Sequence, residues 1–346
     1  MKSVKRAPRT RMRPAVLLTT GVALASALAA CGSSGSAAGG SGSVASGSGS
    51  AQYDIAYIGT KTVSFQGAIF QGLQSVPGVK ATFIEVGFDV TKQAQAIQNA
   101  VATRKYRGIV VDPNSATGLI AAVNQAIKAG VWIYNVDSPM GPDPYSTKPQ
   151  LSGQAGAVVA DYTQIGKTAG QLAVQGCQAK KVSPCQIARV GGLPQFAVET
   201  EQQNGASTAI KAAGSQYQML PTVYAGGYDA NSGVKAAQDL VAAHPDVDVI
   251  FASDPVLKGV QQVVKGKGIQ LIGIAGTHYA FQQVVNGTYF GEVASFPVYE
   301  GKVAGESIVK HIKNSSAAPD NPSAIAPGLP FATTQANLGT FRGQYE

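Results

Sequence analysis

The 346-residue chain is long enough for two lobes of ordinary domain size. Its formal charge of +8 sits largely at one end: Lys2, Lys5, Arg6, Arg9, Arg11 and Arg13 stand in the first 13 positions, and the first 30 contain no acid. Without those six the balance is 21 basic against 19 acidic residues, which excludes a general electrostatic attraction to nucleic acid or to a strongly acidic partner.

A basic n-region followed by the apolar run Ala15 to Ala30 predicts an export signal over residues 1–30. The run is too short, and too rich in Ala, Thr and Ser, for a permanent membrane span. The small residues of Leu28-Ala29-Ala30-Cys31 resemble the bacterial lipobox, where the signal is cleaved before the cysteine and its thiol carries diacylglycerol. That resemblance implies Cys31 as a lipidation site; the alternative is an ordinary cleavable signal with an incidental cysteine. Gly32 to Ser50 holds 15 Gly or Ser among 19 residues, a flexible tether with a root-mean-square reach on the order of 25 Å. Cys177 and Cys185, with seven residues between them in GCQAKKVSPC, suit a disulfide that pins a loop in a protein outside the cytoplasm, adding ~2–3 kcal/mol. Zinc is the weaker reading, because His244, His278 and His311 are scattered, and no cofactor or metal is expected.

The mature chain alternates strand and helix. Tyr53 to Gly59 reads as a strand, Phe65 to Gln74 as a helix, Lys80 to Val86 as a strand and Asp89 to Thr103 as a helix. The stretch from Arg107 to Pro139 then gives strand, helix, strand. Gly108 to Val111 is a short apolar run of the kind buried on both faces in a parallel sheet. Asn114 or Ser115 is placed to cap a helix carrying Leu119, Ile120, Val123 and Ile127, which Gly130 closes. Val131 to Val136 ends on Asp137, as Gly108 to Val111 ends on Asp112. Gly156 to Ala160 is a short strand. The pattern restarts with a helix at Tyr162 to Val174 and strands at Cys185 to Val190, Gln216 to Tyr224, Val247 to Ala252, Ile269 to Ile274 and Tyr289 to Ala294. Helices at Val198 to Ala213, Ser232 to Ala243, Pro255 to Lys265 and Tyr279 to Asn286 separate those strands, and a helix over Val298 to Ile312 returns to the first half. Two successive β/α halves predict two doubly wound parallel-sheet lobes joined by a hinge, an α/β fold whose ligands bind beyond the carboxyl ends of the strands.

From Tyr53 to Phe331 the chain resembles the type I periplasmic binding proteins, in the branch of ribose- and galactose-type sugar receptors of ABC importers. AHPDVDVIFASDP (Ala243 to Pro255) carries the resemblance most specifically, and RGIVVDPNSATGL, GVWIYNVDSP, QLIGIAGT and NGTYFGEVASFP match in type and order. The resemblance implies an N-terminal lobe of residues 52–160 plus 297–325 and a C-terminal lobe of residues 161–296 plus 326–346, preceded by the signal (1–30) and the lipidated, tethered segment (31–51).

A sugar site needs aromatic faces for the ring's C–H surface and planar polar groups for its hydroxyls. By the resemblance, Phe65 is the stacking aromatic, Asp137 accepts sugar hydroxyls, and Asp254 is the polar residue after the strand VIFAS. Ser138 and Gln202 fall where relatives carry arginine, Ala275 where they carry aspartate and Ser295 where some carry glutamine. His278 and Phe296 lie close by as compensating candidates. This depleted, arginine-free set suits a neutral sugar or polyol, or a ligand with an amine, better than an anion.

Enzyme signatures fail. Gly166-Lys167-Thr168 ends like a phosphate-binding loop, but Asp161 stands where that motif needs glycine. There is no Gly-x-Ser-x-Gly elbow, and Glu199 and Glu201 read as a solvated helix face. No catalytic residue is expected. The expected function is that of a monomeric lipoprotein held outside the cytoplasm. It captures a small polar solute, a sugar or polyol, between its lobes and delivers it to an ABC permease. The rival is a sensory co-receptor for a sugar, nucleoside or signalling molecule, acting on a membrane signalling partner.

Overall fold

The computed structural model describes residues 52–61 and 64–346; the predicted signal, Cys31 and the tether lie outside the described residues. The first half runs β1 (Tyr53–Gly59), α1 (Ser64–Gln74), β2 (Val79–Glu85), α2 (Val90–Ala102), β3 (Gly108–Val111), α3 (Ile120–Lys128), β4 (Trp132–Asp137) and β5 (Gly156–Val159). These strands form a parallel sheet in the order β2-β1-β3-β4-β5. Alternate residues of β1 show why both faces must be covered. Ile55 and Tyr57 pack with Ile69, Leu73, Ala304 and Ile308, whereas Ala56 and Ile58 pack with Ile97, Ala100 and Val123.

The second half runs α4 (Tyr162–Lys180), β6 (Cys185–Gly191), α5 (Ala197–Ala213), β7 (Tyr217–Met219), β8 (Val223–Tyr224), α6 (Ala230–Ala243), β9 (Val249–Ser253), α7 (Asp254–Val264), β10 (Gln270–Ala275), α8 (His278–Val285) and β11 (Gly291–Ala294). Then α9 (Pro297–Lys313) returns to pack on α1, and β12 (Ala332–Thr334) rejoins the second sheet antiparallel to β11. The second sheet has the order β12-β11-β10-β9-β6-β7, with β8 also on β6. In both sheets the strand order reverses once, between β1 and β3 and between β6 and β9. At such reversals the crossover helices leave to opposite faces and open a crevice beyond the strand ends. The fold is therefore the expected pair of doubly wound lobes.

Three local expectations are corrected. The third helix begins at Ile120, with Leu119 at its N-cap and no side-chain cap. Ser115 instead accepts from the Gly118 N–H (3.1 Å) in the turn before it, and Asn114 donates to the Gly87 carbonyl (2.9 Å). The predicted strand Gln216 to Tyr224 is two short strands, because Pro221 has no N–H to give to a ladder. Glu199 and Glu201 are buried, at 2% and 9% exposure, Glu199 against the buried Arg189. Cys177, near the end of α4, and Cys185, at the start of β6, form the predicted disulfide in the buried core.

Helices α1 and α9 cross at glycines. A Cβ on Gly301 would lie 1.8 Å from the Ile69 carbonyl oxygen, and one on Gly72 would lie 2.0 Å from that of Val298. The same device joins α4 to α5 and α6 to α7. Gly301→Ala is expected to push α9 off α1 and to destabilise the protein by ~1–3 kcal/mol, read as a fall of several degrees in melting temperature. A change below about 0.5 kcal/mol would show that the helices slide apart freely.

Candidate functional site

The carboxyl ends of the first sheet carry a compact polar group. Asp112, after β3, accepts from Gln66 Nε2 at 2.7 Å, and Gln66 in turn takes the Thr60 N–H through its Oε1. The loop beyond Asp112 is fixed by the fully buried Gln93, whose Nε2 donates to the Asp112 carbonyl (2.7 Å) while its Oε1 accepts from the Asn114 N–H (2.8 Å). Asp137 ends β4 with φ of 56°, and the Ser138 N–H reaches back to the Val136 carbonyl at 2.6 Å. That three-residue turn is strained for a residue with a Cβ, and strain of this kind gathers at binding sites. The Tyr162 hydroxyl donates to Asp137 Oδ2 at 2.9 Å and lies 3.2 Å from Ser138 Oγ. Glu300, in the first turn of α9, shares the electrostatic field of Asp112 and Asp137. Burial raises all three carboxyls above their usual range, Asp137 to about 6; the Asp137 charge lifts Asp112 further, against hydrogen bonds from Ser138 and Gln66.

The second sheet presents a matching group. Asp254, at 2% exposure, follows β9, and its Oδ2 accepts from both the N–H and the hydroxyl of Thr277 at 2.8 Å each. Glu292 on β11 is fully buried, and its Oε1 accepts from the Gly276 N–H at 2.9 Å. The remaining oxygens, Asp254 Oδ1 and Glu292 Oε2, both point at Gly273, where a Cβ would meet them at 2.6 and 1.9 Å. Neither has a partner among the described residues unless the two share a proton. Burial raises Asp254 to about 6 against the Thr277 bonds, and burial with the Asp254 charge raises Glu292 well above the carboxylate range. Ala275, beside them, has φ of 143°, a second strained non-glycine residue at a strand end.

Aromatic rings of the two lobes also meet. Phe88, 43% exposed after β2, lies 5.6 Å from Phe196 and 6.3 Å from Tyr228 of the other lobe. Phe65 meets the ring of Tyr345 edge-on at 5.6 Å. Of the predicted residues, Phe65, Asp137 and Ser138 come together on one side and Asp254 lies on the other. Ser295 sits at the crossing into α9 and donates its N–H to the Ala275 carbonyl (3.1 Å). Gln202 is turned to Arg189, accepting from its Nη2 at 3.1 Å. His278 is exposed, with Nδ1 2.7 Å from the Arg342 carbonyl oxygen. Phe296 is buried at 1% in an apolar cluster with Phe281 and Ala326.

Glu199 was misread because its partner lies ten residues earlier in a strand. Arg189, at 2% exposure, donates from Nη2 to Glu199 Oε2 at 2.6 Å. Glu199 Oε1 accepts from the Gly192 N–H (3.0 Å) and the Tyr228 hydroxyl (2.7 Å), so this pair sets the Tyr228 ring against Phe88. A lone arginine in the apolar run QIARVGG was the available signal, since a buried guanidinium requires a buried acid. Gln66, Tyr162, Glu292 and Tyr345 were likewise missed. None of Asp112, Asp137, Glu300, Asp254 and Glu292 joins an ion pair among the described residues, and no three His, Cys, Asp or Glu side chains there are placed to hold a metal ion.

Two doubly wound lobes that meet across polar strand ends are the architecture of two-lobed solute-binding proteins. The sequence model described as "Periplasmic binding protein domain" matches residues 70–316, and the chain belongs to that family. It is 21% identical over 233 residues to the ribose import binding protein of Bacillus subtilis, covering 66% of this chain and 70% of that protein. It is 24% identical over 236 residues to the D-allose-binding periplasmic protein of Escherichia coli, covering 67% and 73%. Its fold is similar to that of a carbohydrate transporter solute-binding protein from Agrobacterium radiobacter in complex with D-arabinose, with a TM-score of 0.71, 21% identity, and 84% and 97% of the two chains covered.

Proposed function

We propose that this chain is a lipid-anchored receptor outside the cytoplasm. It closes its lobes on a small polar solute, a sugar or polyol, and delivers it to an ABC permease. The observation that carries the reading is the facing of two switch-point sites. Phe65, Asp112, Asp137 and Ser138 stand on one lobe and Asp254 on the other, at carboxyl strand ends. Hydroxyl-rich solutes fit such acceptors, and contacts from both lobes let binding energy favour closure. The relatives' names, ribose import binding protein and D-allose-binding periplasmic protein, support import of a sugar over the sensory reading. In this proposal Cys31 carries the lipid and the Gly/Ser segment to residue 51 is the tether. The lobes divide as 52–160 plus 297–325 and 161–296 plus 326–346, and the receptor acts as a monomer.

A thermal-shift screen with pentoses, hexoses, polyols, amino sugars and nucleosides tests this. A sugar or polyol is expected to raise the melting temperature, since a ligand of the native state stabilises it by mass action. Asp137→Ala is expected to abolish that rise. A rise that survives both Asp137→Ala and Asp254→Ala would place the solute elsewhere. No response from any sugar or polyol would overturn the solute class.

A further inference from the structure

The segment from Phe341 to Tyr345 lies outside any helix or strand, yet Tyr345 is only 7% exposed. The tail is pinned along its length. Phe341 packs edge-on to Phe281 (5.0 Å) and lies 5.9 Å from Phe296. The Arg342 carbonyl meets His278 Nδ1, and Gly343, at φ of 88°, passes so close to the Gly276 carbonyl that a Cβ would lie 2.5 Å from its oxygen. Gln344 Oε1 accepts from the Val298 N–H (3.1 Å) in the first turn of α9. The Tyr345 carbonyl then accepts from the His278 N–H at 2.7 Å.

These contacts carry the Tyr345 side chain between the lobes. Its ring meets Phe65 of the first lobe, and its hydroxyl donates to the Ala275 carbonyl of the second at 3.2 Å. After burial itself, Asp254, Glu292, Asp137 and Glu300 are the groups that raise its phenol, so carboxyls of both lobes lie around it. The phenolic oxygen uses its proton on Ala275 and keeps lone pairs to accept from a ligand hydroxyl. The ring and Phe65 form an aromatic corner of the kind that covers a sugar's C–H face.

We infer that Tyr345 is a specificity-determining residue of the solute site: the C-terminal tail closes the hinge end of the cleft with this ring, which limits the site to small solutes. The inference rests on the cleft reading above, and the two fail separately. If the cleft reading fails, the Asp137→Ala variant binds the solute as tightly as the wild type does. If the tail reading fails, binding depends on Asp137 and is indifferent to Tyr345.

The test is calorimetry on the full chain and on Tyr345→Ala, Tyr345→Phe and a chain ending at Gln344. The probes are D-ribose, D-allose, D-arabinose and the disaccharide maltose. Tyr345→Ala and the shortened chain are expected to bind the preferred monosaccharide at least about tenfold more weakly and to gain measurable binding of maltose, while Tyr345→Phe, which keeps the ring and loses only the hydroxyl acceptor, is expected to bind the monosaccharide about three- to tenfold more weakly and still to exclude maltose. A structural role alone would lower stability without changing the ratio of monosaccharide to disaccharide affinity. Unchanged or tighter monosaccharide binding in Tyr345→Ala would overturn the inference, the tighter case identifying the ring as a plug. Without any ligand, hydrogen exchange at the His278 amide is expected to be slow in the full chain and fast in the shortened one. Fast exchange in both would also overturn it.

Discussion

Glu199→Ala is expected to lower the folding free energy by about 3–5 kcal/mol, because it strands a buried guanidinium. Arg189 and Glu199 are both 2% exposed. Arginine does not escape by losing its proton, so the charge stays. Its Nε and Nη1 have no partner among the described residues, and Gln202 alone is left to receive Nη2. The Gly192 N–H and the Tyr228 hydroxyl lose their acceptor in the same step. Urea unfolding of the single variant checks the size of the effect. The double variant Arg189→Met with Glu199→Leu removes both charges and is expected to recover most of the loss, as buried pairs replaced by apolar groups commonly do. A single-variant loss below about 1 kcal/mol would show that water reaches the guanidinium. The double variant also frees Tyr228, so it should regain stability without regaining the Phe88 contact that joins the lobe rims.

The parts of this fold that were legible in the sequence are those whose physics is local. GIVV and VIFAS are apolar on both faces and bounded by Asp-Pro, so they read as buried parallel strands whose ends carry the proposed site. Asp112 and Asp254 follow from that placement. What was not legible depends on contacts far apart in sequence. Glu199 looks like one acid of a solvated helix face until Arg189 is brought beneath it by the α5 crossover. Phe296 looks like a site residue because it adjoins Ser295, yet the side chains of Phe281 and Phe341 enclose it in the core. The tail FRGQYE has no periodicity, and nothing in it announces that Tyr345 returns to Phe65, 280 positions earlier. The Gln216 to Tyr224 run shows a local failure: Pro221 was present to be read, and its missing N–H divides the strand.

The protein is expected to melt at a higher temperature at pH 5 than at pH 7.5, the reverse of ordinary acid destabilisation. Most carboxylates in proteins are held below their unfolded pKa by partners, so acid removes stability. Here the buried carboxyls are held above it, chiefly by burial: Asp137 and Asp254 at about 6, Glu201 at about 7, and Asp112, Glu292 and Glu300 raised as well. A raised group binds its proton more tightly folded than unfolded. Its contribution is fully present below the unfolded pKa near 4 and is lost as pH rises through the folded value. For Asp254 alone, two pKa units amount to on the order of 3 kcal/mol. Below about pH 4 the ordinary direction returns, because Asp320, held low by its bond to Lys310, becomes protonated. The optimum therefore falls near pH 4. Asp254→Asn mimics the protonated acid, keeps an oxygen for Thr277 and offers Glu292 an N–H. It is expected to raise the melting temperature at pH 7.5 and to flatten the profile between pH 5 and 7.5. A wild-type melting temperature that stays level or falls on going from pH 7.5 to 5 would refute the argument. The same charges set when a solute matters most. Hydroxyls that donate to ionised Asp137 and Asp254 relieve the repulsion and desolvation that burial imposes, so the rise in melting temperature on adding the solute should be larger at pH 7.5 than at pH 5.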